Sequence, residues 1–180
     1  LIIKWLEGWD GIFFGLNFSL KQEKTLKISE AIDIAARKEF DYAMNEVAEG
    51  WDWKDIRGIS YRKNGQISHN LERPPLTNEE LDQLPFVTQI YNRDLNFRKY
   101  NRPYCQYPYV SLYTGRGCPA RCTFCLWPQV TTGHSYRTRS VGNVIEEVQE
   151  MKRLFPGMKE VFFDDDTFTA DAKRAREIAT

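Results

Sequence analysis

Three of the four cysteines fall within eight residues, in the stretch Gly115-Arg116-Gly117-Cys118-Pro119-Ala120-Arg121-Cys122-Thr123-Phe124-Cys125. The spacing is C-x3-C-x2-C, close enough for one loop to wrap its thiolates around a single inorganic centre. Thiolate is a soft ligand, suited to zinc or to iron–sulfur clusters. Three local ligands leave a fourth coordination position open, and an open position is where metal chemistry takes place. A loop of this kind needs a rigid element before it. Tyr109-Val-Ser-Leu-Tyr-Thr114 supplies one, because it alternates and is rich in β-formers.

Other fates for the cysteines are weaker. Buried free cysteines acting as small hydrophobes would not cluster in this way. A closed zinc site would need His134 or Cys105 as fourth ligand, and a second knuckle or paired histidines is missing. An electron-transfer ferredoxin would need Cys105 at the cluster. Four cysteines in 180 residues do not make a disulfide scaffold. Their clustering predicts a reduced, cytoplasmic setting.

Charge narrows the partners. Lys+Arg and Asp+Glu both number 25. A net charge of zero gives no electrostatic case for nucleic acid or anionic lipid as main partner. No apolar run approaches the roughly 18–20 residues of a membrane span. The chain starts without methionine and stops inside a helical pattern, and it reads as a fragment of a longer protein.

Along the chain, Leu1 to Leu6 reads as the end of a helix and Gly11-Ile-Phe-Phe-Gly15 as a buried parallel strand. Glu23 to Ile28 reads as a helix, Ala31 to Ala36 as a strand, and Phe40 to Glu49 as a helix. This rhythm predicts the later half of a doubly wound α/β domain over residues 1–56. Asn64-Gly65 between two alternating segments predicts a type I′ hairpin. Residues 57–104 are read as that hairpin followed by a proline-interrupted linker, with Thr77-Asn-Glu-Glu80 capping a short helix. In residues 105–180, Ser140 caps a helix whose apolar stripe runs through Val144, Val148, Met151 and Phe155. Lys159 to Phe163 is the next strand, closed by Asp164-Asp-Asp-Thr-Phe-Thr169. The fold class is α/β throughout, with candidate ligands at the carboxyl end of a strand, where α/β folds build their sites.

C-x3-C-x2-C with Phe124 before the last cysteine resembles the motif of the radical SAM superfamily. The resemblance implies a partial TIM-like barrel whose first two βα units occupy 105–180. It also implies a [4Fe-4S] cluster on Cys118, Cys122 and Cys125, with S-adenosylmethionine on the fourth iron. Reductive cleavage of that cofactor would start radical chemistry on a substrate. The acidic turn is similar to the segment that holds the SAM ammonium, which points to Asp165 and Asp166, with Phe124 beside the adenine. The same turn is open to a plainer reading as a cap for the next helix. Arg137 and Arg139 are read as flanking charges or as partners of a carboxylate or phosphate.

Ala35-Ala-Arg-Lys-Glu-Phe40, Leu84-Pro-Phe-Val87, Cys125-Leu-Trp-Pro-Gln129, Gly133-His-Ser-Tyr-Arg137 and Phe162-Phe-Asp-Asp-Asp-Thr-Phe168 resemble one subfamily. Its members carry an N-terminal cobalamin-binding-type domain and are associated with hopanoid biosynthesis. That likeness implies a small-molecule or lipid-linked substrate, an external one-electron reductant, and contact with a membrane surface only through a lipid substrate. No Asp-x-His-x-x-Gly occurs, so cobalamin as a cofactor is left open. The isolated fragment is expected to be inactive.

Overall fold

The computed structural model describes residues 12–13 and 22–180. The helix read at Leu1 to Leu6 lies outside the described residues. Two compact units are present: residues 1–75 with 121–133, and residues 76–120 with 134–180.

In the first unit, strand β1 (Ile12–Phe13) pairs in parallel with β2 (Ile34–Ala36), and helix α1 (Gln22–Ile28) lies between them in sequence. This is the strand–helix–strand pattern read from the sequence. Every residue of β2 is buried, and alternate side chains enter two different apolar clusters. Ile34 packs with Ala43 and Val47 of helix α2 (Asp41–Ala48), with Ile56, Ile59 and Tyr61 beside them. Ala35 packs with Leu26 and Ile32. A strand buried on both faces is what its unbroken apolar run requires.

Strands β3 (Ile59–Lys63) and β4 (Gln66–His69) form the hairpin, with Asn64 and Gly65 at φ 52° and 77°. Both turn residues are left-handed, the geometry of a type I′ turn. β3 pairs antiparallel with β2, so the sheet order is β1-β2-β3-β4. The Arg37 side chain ties this arrangement together by donating to the Ile59 and Asn70 carbonyls.

The stretch read as a linker carries, over residues 76–104, the short helix expected after Thr77 and a further one: α3 (Asn78–Gln83) and α4 (Val87–Asp94). Thr77 and Glu80 make the predicted reciprocal capping box. Val87, Tyr91 and Phe97 then pack on the core of the second unit, against Val110, Leu112, Met151 and Phe155. That core sits between β5 (Tyr109–Leu112), its parallel partner β8 (Glu160–Phe163) and helix α6 (Val141–Leu154); residues 127–130 form the short α5. Ser140 caps α6 as expected, accepting from the Asn143 amide at 3.2 Å. Strands β6 (Gly115–Arg116) and β7 (Arg137–Thr138) pair antiparallel, and α7 (Ala172–Ala179) ends the chain, capped by Asp171.

Glu147, on α6, is fully buried. Its Oε1 accepts from the Thr88 amide at 3.1 Å and the Thr88 hydroxyl at 2.8 Å, and its Oε2 meets Arg139 Nη1 at 2.5 Å. Arg139 Nη1 also donates to the Tyr113 carbonyl, and its guanidinium lies 5.5 Å from the Phe86 ring centroid. A buried carboxylate with three donors is satisfied; the same carboxylate with its cation removed is not. Arg139→Met is expected to lower stability by about 3–5 kcal/mol, measured by urea unfolding. A loss below about 1 kcal/mol would show that the pair does not hold α4 to α6.

Candidate functional site

Strand β5 ends at Leu112 and the chain turns at Tyr113 and Thr114 into β6. From residue 117 to 126 it is in neither helix nor strand. β6 and β7 close the base of this excursion. Their pairing brings Tyr136 so close to Gly115 that a Cβ there would lie 2.8 Å from its ring. A glycine is therefore required at 115 by packing.

The acidic turn after β8 reaches this base. Asp165 Oδ1 accepts from the Thr114 amide at 2.6 Å, and Oδ2 accepts from the Thr114 hydroxyl at 2.6 Å and the Tyr136 hydroxyl at 3.0 Å. Three of roughly four acceptor positions on this carboxylate are thus used by the protein itself. Burial, then the Asp165 charge, pushes the Tyr136 phenol above its ordinary pKa, so the phenol stays a donor. Asp166 Oδ2 accepts from the Gly117 amide at 3.0 Å, and the Thr167 hydroxyl donates to the Gly117 carbonyl at 3.3 Å. Asp164 takes a different partner, Arg102, at 3.2 Å. Hydrogen bonding to Asp164 raises the Arg102 pKa.

Thr114 is fully buried. Arg174, on α7, donates to its carbonyl at 2.8 Å and to its hydroxyl oxygen at 3.2 Å, and to the Arg139 carbonyl at 3.1 Å. Arg174–Thr114–Asp165–Tyr136 is therefore one continuous polar network at the carboxyl end of β5 and β8. Sequence reasoning did not single out Thr114, Tyr136 or Arg174. The available signal was weak: a threonine closing a β-run, opposite an acidic triplet.

Cys118, Cys122, Cys125 and Cys105 are all free thiols. Cys118 belongs to the second unit; Cys122 and Cys125 belong to the first. Among the described residues, no three His, Cys, Asp or Glu side chains converge as a metal site. By donor type alone, thiolate sulfur is the ligand an iron–sulfur centre takes, and Cys122 is exposed. Phe124 is 89% exposed. His134 Nδ1 lies 3.2 Å from the Cys118 carbonyl and 3.1 Å from the Ala120 carbonyl. Arg137 is held by the Leu76 carbonyl at 2.7 Å, and Arg139 by Glu147. Of the two readings made for Arg139, the carboxylate partner is observed. Desolvation, then the charge of Glu160, pushes the Cys105 thiol pKa up.

No family model matches the chain. It is 32% identical over 169 residues to an uncharacterized methyltransferase of Pyrococcus horikoshii, covering 92% of this chain and 35% of that protein. It is 39% identical over 103 residues to the cytidylyl-2-hydroxyethylphosphonate methyltransferase of Streptomyces wedmorensis, covering 55% of this chain and 19% of that protein. The chain thus spans about a third or less of the curated relatives it matches. Among solved structures, it matches the cobalamin-dependent S-adenosylmethionine radical enzyme OxsB with a TM-score of 0.64 at 19% identity, over 93% of this chain and 23% of that one. It matches the radical S-adenosylmethionine methyltransferase TsrM of Kitasatospora setae, with cobalamin and a [4Fe-4S] cluster bound, with a TM-score of 0.64 at 17% identity, over 93% of this chain and 32% of that one. The chain has the fold of the corresponding part of these enzymes. Its similar proteins are methyltransferases and cobalamin-dependent radical SAM enzymes. Among the described residues, no helix is long and apolar enough to cross a membrane.

Asp165→Ala is expected to cost about 3 kcal/mol in the protein without SAM, because it strands the buried Thr114 donors. Thermal unfolding checks this. An unchanged melting temperature would mean that Asp165 is not a structural staple.

Proposed function

We propose that this chain is part of a radical SAM enzyme of the cobalamin-dependent kind, and that the enzyme transfers methyl groups. One observation carries the reading. Three free thiols stand on a loop at the carboxyl end of a parallel strand, and the acidic turn of the neighbouring strand grips the root of that loop. The residues are assigned as follows. Cys118, Cys122 and Cys125 hold the cluster, Asp165 and Asp166 face the SAM ammonium, and Phe124 shields the adenine. A bound [4Fe-4S] cluster supplies a low-potential electron and an open iron on which S-adenosylmethionine can dock.

The protein's own part is orientation. The turn at 164–166 and the Thr114 network fix where the loop leaves β5, so the thiolates start from a rigid base. Residues 105–180 supply the first two βα units of a partial barrel, and residues 1–56 the later half of a cobalamin-binding-type domain. Methyl transfer is favoured by the names of both curated relatives. A hopanoid side chain is the candidate substrate supported by the flanking residues alone, and it brings with it the cytoplasmic, membrane-peripheral setting. An external reductant is required. Because the relatives are about three times longer or more, the 180-residue chain is expected not to turn over by itself.

Anaerobic reconstitution should give a brown protein with about four irons and four sulfides per chain. Cys118→Ala, Cys122→Ala and Cys125→Ala should each abolish it, and Cys105→Ala should not. Electron paramagnetic resonance of the reduced protein should change on adding SAM. A colourless protein with one tightly held zinc would instead establish a structural zinc module, and a spectrum indifferent to SAM would refute the open iron.

A further inference from the structure

We infer that His134 is a positioning residue for the first cluster ligand, clamping the backbone on both sides of Pro119 so that Cys118 is presented in one orientation. The inference rests on the reading of Cys118 as a ligand.

The segment Gly117-Cys118-Pro119-Ala120 lies outside any helix or strand, and Pro119 has no amide hydrogen to offer. Its backbone must be held by side chains. At its start, Asp166 accepts a hydrogen bond from the Gly117 amide and the Thr167 hydroxyl donates one to the Gly117 carbonyl. Further on, one imidazole nitrogen reaches two carbonyls, those of Cys118 and Ala120, at 3.2 and 3.1 Å. A carbonyl only accepts, so the Nδ1 of His134 must carry the hydrogen and share it between them. That choice of tautomer puts the lone pair of the neutral ring on Nε2. Both hydrogen bonds lie within the second unit and come from residues 14 and 16 positions away in sequence. They close the loop's first turn upon itself just before the chain enters β7.

The clamp uses Nδ1 alone and leaves the Nε2 lone pair, the geometry that a metal-ligating histidine also has, so the variants at 134 separate the two roles. An asparagine at 134 could place its side-chain N–H near the position of Nδ1, while alanine could not.

Two measurements test this. The first uses the wild-type apo-protein at a pH where the ring is neutral. Long-range proton–nitrogen NMR should show His134 as the Nδ1–H tautomer; an Nε2–H tautomer overturns the clamp. The second uses the reconstituted protein challenged with a ferrous chelator under anaerobic conditions. His134→Ala should lose iron roughly tenfold faster, the effect of removing about one net hydrogen bond. His134→Asn should stay within about twofold of wild type, and the reduced-cluster resonance should broaden in the alanine variant only. Equal iron loss in all three proteins overturns the clamp. So does an asparagine variant as poor as alanine, which would make His134 a ligand. If the apo-protein shows the Nδ1–H tautomer yet binds no cluster, the clamp stands and the radical SAM reading falls.

Discussion

The Asp165 carboxylate is the interaction on which the rest of the site depends. Its two oxygens take both donors of Thr114 and the phenol of Tyr136. Thr114 lies just past the end of β5, so one carboxylate holds the backbone that leads into Gly117 and Cys118. An exposed carboxylate at the same place would be worth little, because water would compete for every donor. Here Thr114 is buried and water is excluded from its side. Arg174 then anchors the threonine from the other direction. Order at the loop's root is thereby inherited from helix α7, well after the cysteines in sequence.

The second anchor is the buried Glu147–Arg139 pair. It joins α4, α6 and the residue that follows β7, and Arg174 touches the same Arg139 through its carbonyl. The two polar networks therefore share a residue. Each charge is desolvated and each is matched with donors or acceptors, the condition under which a buried ion pair orders a core instead of weakening it. The apolar cluster of Val110, Leu112, Met151 and Phe155 supplies the bulk of the burial, and the polar pair fixes which helix face meets it.

Local chemistry was legible wherever it acts over a few residues. Asn64-Gly65 specified a turn with two left-handed residues, and the Thr77–Glu80 box and the Ser140 cap specified helix starts. Each involves side chains that reach only their own backbone. What failed was long-range. The stretch from 76 to 104 is polar and broken by prolines, so its helices carry little periodic signal. They are held by Val87, Tyr91 and Phe97 against a core assembled from Val110, Leu112, Met151 and Phe155, 13 to 68 positions later. The hairpin's membership of the first sheet was equally hidden, because pairing with β2 depends on register across a connection and not on the turn. Strands of two residues, such as β6 and β7, are too short for any alternation to show.

By itself the sequence supplied the motif on which the proposed chemistry rests: three thiols in eight residues, with no disulfide framework around them. It also determined the α/β rhythm, since apolar periodicity and caps are local properties. Only the tertiary structure decided what the polar residues near that loop do. From the sequence, Asp165 and Asp166 are read as partners of the SAM ammonium or as a helix cap, and His134 as the fourth ligand of a rival zinc site. In the structure Asp165 also accepts from Thr114 and Tyr136, Asp166 from the Gly117 amide, and His134 lies beside the carbonyls of Cys118 and Ala120, contacts that hold the loop's root whichever ligand the carboxylates face. The reason is physical: a loop outside helix and sheet leaves backbone groups unpaired, and the nearest polar side chains are drawn in to satisfy them.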